Sequence, residues 1–269
     1  MVKYVQKVAV FSLVLGLVFL LSCRKSDETI WDAVVLSTQK QSLVLMLSSS
    51  EVPTAGDYGL PVIDSMKNNL TNGVNGNRLF YLSLYPQVSD PLYNFAAEQF
   101  KFLYDVNGDN SLSTTPAFVS NTKNYNYDLD SLKSNLAEQA TESQKISVGN
   151  VLRLKGNTLE MYIKMRYNDF YFNAHSLAVY IYDKEVVASQ ATISNGTVTN
   201  FKHKNVLSEF VTSLKGEVFQ ETVQYGHERE LLYEYNIGDK NIDNIGVLTV
   251  VYGLDSNKNP KEVIALYSN

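Results

Sequence analysis

Helix and strand signals alternate up to about Gln144, and from Ile146 onward almost only strand signals remain. This change of pattern constrains the fold more than any single motif. Crossover helices between strands imply parallel pairing, whereas strands joined without helices imply antiparallel pairing. In the first stretch, Leu43-Val44-Leu45-Met46-Leu47 is a continuous apolar run, the signature of a strand buried on both faces. Pro61 suits a first helical turn, and Ile63, Met66 and Leu70 share one helical face. Asn72-Gly73 and Asn75-Gly76 break that helix. A second buried strand covers 79–84. Asp90-Pro91 then reads as a cap and first-turn proline for a helix with Leu92, Ala96, Phe100 and Leu103 on one side. Pro116-Ala117-Phe118-Val119 opens a third strand, and Asp128 caps a helix carrying Leu129, Leu132 and Leu136.

In the second stretch, Leu159, Met161, Ile163, Met165 and Tyr167 alternate with Glu160, Tyr162, Lys164 and Arg166, as in a half-buried strand. Leu177, Val179 and Ile181 alternate with Ala178, Tyr180 and Tyr182. Segments 245–252 and 263–267 flank Asp255-Ser256-Asn257-Lys258-Asn259-Pro260, a terminal hairpin. Many short strands without helices predict a β-sandwich.

The N-terminus reads as an export segment. Lys3 and Lys7 precede an apolar run from Val8 to Leu21, which ends in Leu20-Leu21-Ser22-Cys23. The run is shorter than the roughly 20 apolar residues a membrane span needs. Leu20, Leu21, Ser22 and Cys23 resemble a bacterial lipobox, in which the cysteine sulfur takes a diacylglycerol and becomes the mature N-terminus. Stable membrane attachment needs more than one acyl chain, and a lipidated Cys23 carries at least two. The expected organisation is a signal at 1–22, a tether at 23–30, one domain at 31–144 and a second at 145–269. The tether residues Arg24, Lys25, Ser26, Asp27 and Glu28 also resemble surface-export signals of Gram-negative lipoproteins.

Cys23 is the only cysteine, so a chain lipidated there keeps no thiol for disulfide, redox or metal chemistry. The net charge of −5 becomes more negative once Lys3 and Lys7 are removed, which argues against nucleic acid as a partner.

Asp105, Asn107, Asp109 and Ser111 place oxygen ligands at alternate positions, like the start of a calcium loop. Asn110 stands where glycine is usual, and Pro116 where the bidentate acid is usual, so a polar turn is the competing reading. Apart from this calcium no cofactor is implied. His175, His203 and His227 lack the close spacing of zinc ligands. There is no Gly-x-Ser-x-Gly elbow and no glycine-rich phosphate loop, so no enzymatic activity is expected. Tyr162, Tyr180 and Tyr182 lie opposite the aliphatic faces of their strands and offer a contact surface for a protein or glycan. The competing reading is that both sheet faces are covered. Asp64-Ser65-Met66 and Asp130-Ser131-Leu132 resemble an O-glycosylation signal of surface lipoproteins, and both also read as ordinary helix starts or turns.

The first stretch resembles a thioredoxin-like domain, with Thr115-Pro116-Ala117-Phe118 placed like its proline turn. Together with Ser189-Gln190, the segment Phe201-Lys202-His203-Lys204-Asn205-Val206-Leu207, and Gly216, the chain is similar to the outer membrane protein 28-related lipoprotein family over about residues 31–267. The resemblance implies an α+β chain of two domains, a thioredoxin-like α/β domain followed by an all-β sandwich domain. It also implies outer-membrane attachment and a role in binding or adhesion. Many relatives carry Cys-x-x-Cys in the first loop, where this chain has Val52-Pro53-Thr54-Ala55. Without a dithiol the scaffold is redox-dead, and a chaperone or envelope assembly factor derived from it is the alternative role.

Overall fold

The computed structural model describes residues 30–71, 79–104, 117–120, 123–125 and 128–269. The first stretch comprises β1 (Ser42–Leu47), α1 (Pro53–Tyr58), α2 (Leu60–Thr71), β2 (Leu79–Leu84), α3 (Phe95–Tyr104), β3 (Ala117–Ser120), β4 (Lys123–Asn124) and α4 (Leu129–Gln139). All six residues of β1 and of β2 are buried, as their unbroken apolar runs require. The two strands pair in parallel from Ser42↔Leu79 to Leu47↔Leu84, and the intervening helices make the crossover. β3 pairs antiparallel with the other edge of β1, and β4 with β3.

The α3 start differs from the sequence expectation. Asp90-Pro91 makes a turn instead, and Asn94 caps the helix, its Oδ1 accepting from the Ala96 N–H at 2.7 Å. The Asp90 carboxylate is drawn inward by other partners. Asp128 does cap α4, accepting from the Ser131 N–H at 3.1 Å.

The second stretch comprises β5 (Ile146–Lys155), β6 (Thr158–Tyr167), β7 (His175–Thr192), β8 (Gly196–Phe210), β9 (Glu217–Phe219), β10 (Glu228–Asn236), β11 (Ile245–Leu254) and β12 (Pro260–Ser268). Gly156, at φ +61°, turns β5 into β6 between the paired Lys155 and Thr158, a two-residue hairpin that favours glycine. β11 and β12 form the terminal hairpin expected around residues 255–260.

The chain is mostly β, and its main sheet is mixed. Among the described residues that sheet has nine strands, ordered β12-β11-β7-β8-β2-β1-β3-β4, with β9 beside β7. β8 pairs with β7 and, at Ser83↔Val206, with β2. Strands from both sides of residue 145 therefore share one sheet, and strand pairing does not break there. β10, β6 and β5 form a second, three-stranded sheet.

A flat sheet would hold β1 and β12 about 24 Å apart, at roughly 4.8 Å per strand. Instead Leu43 and Leu45 of β1 line a small cavity together with Tyr252 and Val263 of β11 and β12. The sheet is folded over on itself, with β8 at the fold. Three apolar layers result. Val44 and Met46 of β1 pack with Ile63, Met66, Leu132 and Leu136 of the helices. Leu43, Leu45 and Leu47 pack with Tyr180, Tyr182, Leu248 and Tyr252 across the fold. Leu177, Val179 and Ile181 pack with Met161, Ile163 and Met165 of the second sheet.

This layering overturns the tyrosine contact surface. The alternation along β7 is between two cores rather than between core and water, so Tyr180 and Tyr182 are buried. Tyr180 Oη donates to the Leu214 carbonyl at 2.9 Å, and Tyr182 Oη to that of Asn269 at 3.0 Å. Tyr162 faces outward from the second sheet but is buried too. Trp31 stacks edge-on against it at 5.1 Å, and the Arg153 guanidinium lies over its ring. The segment that covers this face, 31–37, is tied to β5 where the Ser37 N–H donates to the Val148 carbonyl at 3.0 Å.

Candidate functional site

The place to look first on such a scaffold is the crevice beyond the carboxyl ends of the parallel strands, here β1 and β2. The segment leaving β1 is Ser48-Ser49-Ser50, and all three serines are buried. Asp90, 3% exposed, sits beneath them. Its Oδ2 accepts from Ser49 Oγ at 2.9 Å and from the Ser50 N–H at 2.6 Å. Its Oδ1 accepts from Ser50 Oγ at 2.8 Å and from the Leu92 N–H at 2.8 Å. Four donors offset the cost of taking this carboxylate out of water.

The β7–β8 hairpin lies over this cluster. The Ala191 N–H donates to the Ser50 carbonyl at 2.8 Å. Gln190, 2% exposed, donates its side-chain amide to the carbonyls of Ser49 and Ala191 at 3.2 and 2.9 Å. At the hairpin tip the Ile193 N–H and Ser194 Oγ bind the Asp57 carboxylate at 2.5 and 2.8 Å. The Ser194 hydroxyl and then the Ile193 N–H hold that carboxyl below its ordinary range. Gly56 allows the close approach, because a Cβ there would collide with the Ala191 carbonyl and lie 2.8 Å from Thr192 Cγ2.

Val52-Pro53-Thr54-Ala55 form the start of α1 beneath this hairpin, with Val52 as N-cap. His203, fully buried, closes the cluster from β8, with Nδ1 2.7 Å from Tyr85 Oη. Burial pushes the His203 pKa down, against the charge of Asp90 and the carbonyls of Ser189 and Ala188. Burial likewise pushes the Tyr85 hydroxyl far up. Ser-His-Asp atoms thus lie close together, but the Asp90 carboxylate is taken up by Ser49, Ser50 and the Leu92 N–H, and the hydrogen bond of His203 Nδ1 goes to Tyr85 Oη rather than to a serine or to Asp90.

The motif residues Gln190, His203 and Gly216 all have structural duties. Gln190 ties the hairpin to the loop after β1. His203 and Asn205 join β8 to β2, where Asn205, at φ +50°, donates Nδ2 to the Tyr81 carbonyl at 3.1 Å. Gly216, at φ +83°, turns against the Leu177 carbonyl where any side chain would clash.

A second site lies at the opposite pole of the β layers. The connections 168–174 and 220–227 form a short antiparallel ribbon, with the Tyr171 N–H donating to the Val223 carbonyl at 2.9 Å and the reverse bond at 2.8 Å. Gly226 N–H to Tyr167 O, 2.8 Å, and Tyr167 N–H to His227 O, 3.0 Å, fix its base. Tyr171 and Val223 point into the core. Their neighbours therefore point out, leaving Phe170 54% and Phe172 68% exposed with rings 6.3 Å apart. Tyr225, on the other arm, is 72% exposed. Beneath, Tyr167 Oη lies 2.7 Å from His175 Nε2, and His175 Nδ1 lies 3.1 Å from the Asn173 carbonyl. Burial lowers the His175 pKa, with the Arg229 charge adding to the effect. An open concavity of about 490 Å³ is lined by Glu221 to His227.

Sequence reasoning missed both places. By its local sequence Asp90 reads as a helix cap, and Ser49 and Ser50 carry no motif. Phe170-Tyr171-Phe172 between Asn168-Asp169 and Asn173 was the available signal for the ribbon, an alternating aromatic triplet inside turn-forming residues.

The lipobox residues Leu20, Leu21, Ser22 and Cys23 lie outside the described residues, as do Asp105, Asn107, Asp109 and Ser111 of the calcium loop. Thr115 and Pro116 of the proline turn lie outside them too. Among the described residues no three His, Cys, Asp or Glu side chains gather to hold a metal, and no helix is long and apolar enough to cross a membrane.

No protein family matches the chain, and no curated protein does. Two of the solved structures similar to it share its fold over most of the chain. HBP35 of Porphyromonas gingivalis aligns with a TM-score of 0.69 at 13% identity, over 87% of this chain and 76% of that one. Protein AGR_C_4864 from Agrobacterium tumefaciens aligns with a TM-score of 0.52 at 11% identity, over 86% of this chain and 95% of that one. At these identities the likeness is one of fold.

Proposed function

We propose that this chain is an outer-membrane lipoprotein, anchored through Cys23, whose folded part binds a partner and catalyses no reaction. The observation that carries the reading is the closed crevice. The loop after β1, where a thioredoxin-like scaffold keeps its reactive groups, lies under the β7–β8 hairpin with Ser49, Ser50 and Asp90 all buried. A reaction there needs a substrate within hydrogen-bond reach of the reacting group, and the burial of Ser49, Ser50 and Asp90 speaks against one. The strand order β2-β1-β3-β4, with β1 and β2 parallel and β3 antiparallel, supports the thioredoxin-like reading of residues 31–144. The absence of any second cysteine supports its redox-dead form.

Cells grown with an alkyne-tagged fatty acid test the anchor. The parent chain should carry the label and Cys23→Ala should not; equal labelling of both refutes lipidation at Cys23. Protease shaving of intact cells tests display, and complete resistance removes the surface role. The scaffold of β1 to α4 favours a second reading, a chaperone descended from a thioredoxin-like protein. Suppression of aggregation of reduced lysozyme at stoichiometric concentration would support that role instead.

A further inference from the structure

We propose that the aromatic ribbon formed by 168–174 and 220–227 is a binding platform for a neutral oligosaccharide. This rests on the binding-protein reading above and names the class of ligand.

Phe170 and Phe172 are not exposed for want of a core. The alternation of the ribbon already sends Tyr171 and Val223 inward, and hydroxyl or amide side chains at 170 and 172 would leave those contacts intact. The backbone that carries the two rings is held by main-chain pairing, with the Tyr167–His175 bond below, so little backbone ordering cost remains on binding. The antiparallel bridge places Gln224 beside Phe170 and Thr222 beside Phe172, both exposed. Tyr225 and His227 continue this face along the concavity. The platform thus offers flat apolar rings with an amide, hydroxyls and an imidazole at their edges.

Charge decides among the ligands. The segments 166–175 and 217–230 contain no lysine. Their acids are already engaged. Glu221 pairs with Arg229, whose guanidinium lies over Phe219. Glu228 and Glu230 both reach Lys164, and Glu217 accepts from Tyr233 Oη at 2.7 Å. Asp169 accepts from the Phe170 N–H. Arg166 faces Glu228 across the β6–β10 ladder. A phosphate-bearing lipid or nucleic acid meets no cation cluster, and a cationic peptide meets no free carboxylate cluster. A purely apolar partner would strand Gln224 and Thr222 without hydrogen bonds. A neutral sugar satisfies both demands: its C–H faces lie on Phe170 and Phe172, and its hydroxyls reach the amide and hydroxyl groups.

The test is calorimetric titration of the full chain, in detergent micelles, with maltohexaose, cellohexaose, mannohexaose and chitohexaose. At least one should bind with a millimolar or tighter Kd. The double variant Phe170→Ser/Phe172→Ser should lose about tenfold or more in affinity while melting at the parent temperature. Failure of all four sugars overturns the proposal, as does a double variant that binds as tightly as the parent. If no sugar binds and the double variant partitions less onto phosphatidylcholine vesicles, the ribbon is a membrane-contact surface instead. Fatty-acid labelling at Cys23 reports on the anchor alone, so its failure leaves the sugar titration fully interpretable.

Discussion

The two poles of this molecule treat their side chains in opposite ways. At the carboxyl ends of β1 and β2, the polar groups Ser49, Ser50 and Asp90 are buried and bonded to one another, with His203 buried beside them against Tyr85. At the far end of the β layers, Phe170, Phe172 and Tyr225 stand in water on a firmly paired ribbon. Polar inside and aromatic outside is the reverse of what burial alone would produce. The difference teaches that the reactive-looking cluster is part of the fold's interior, and that the unexplained exposure lies where no catalytic motif points. Each contrast can be broken by substitution.

The largest effect should come from Asp90→Ala. It strands two serine hydroxyls and two backbone N–H groups in a dry interior, and the loss should be about 3 kcal/mol or more. Urea unfolding of the variant measures it. A loss below about 1 kcal/mol would show that water reaches the cluster and that the crevice is open.

Gly56→Ala should cost about 2 kcal/mol, because the new methyl collides with the Ala191 carbonyl and forces the hairpin away from α1. Limited proteolysis should then cut within 190–196 faster than in the parent. An unchanged cleavage pattern would mean that the hairpin is not held closed by this contact.

Acid separates the two poles from everything exposed. His175 and His203 are both pushed below the ordinary imidazole value of 6.5 by burial. Below that value the unfolded chain binds protons that the folded chain refuses, so stability is complete above it and falls as pH drops. The melting temperature should decline from pH 7 to pH 5, each histidine contributing up to about 1 kcal/mol per pH unit. His203→Gln should be less stable at pH 7.5 but show a shallower decline.

The smallest effect belongs to Phe170→Ser/Phe172→Ser. Exposed positions away from packed or capped features shift stability by within about 0.5 kcal/mol, and the same melting curve should result. A marked loss would make the ribbon's aromatics a packing device and remove the contrast between the poles.

Much of the first stretch was legible. The apolar runs at 43–47 and 79–84 mark strands buried on both faces wherever they occur, because such a run has no polar side to offer water. Asp128 capped its helix as read, and Asp90 did not, although both are acids ahead of an apolar run. What separates them is the pair of serines, 41 and 40 residues earlier, that competes for the Asp90 carboxylate. No local rule contains that information. The tyrosines failed for a related reason. Alternation along β7 reports two chemically different faces but not whether the polar-capable one meets water or a second layer.

The sequence by itself determined the buried strands at 43–47 and 79–84, the helix capped by Asp128 and the β-rich character of everything after residue 145. It also determined that no thiol pair can do redox chemistry, since Cys23 is the chain's only cysteine. Only the tertiary structure decided that the main sheet folds over itself at β8, burying Tyr180 and Tyr182, that a hairpin closes the loop after β1, and that Phe170 and Phe172 are left outside. Periodicity is a property of neighbours along the chain, whereas burial depends on which distant strands arrive to cover each face.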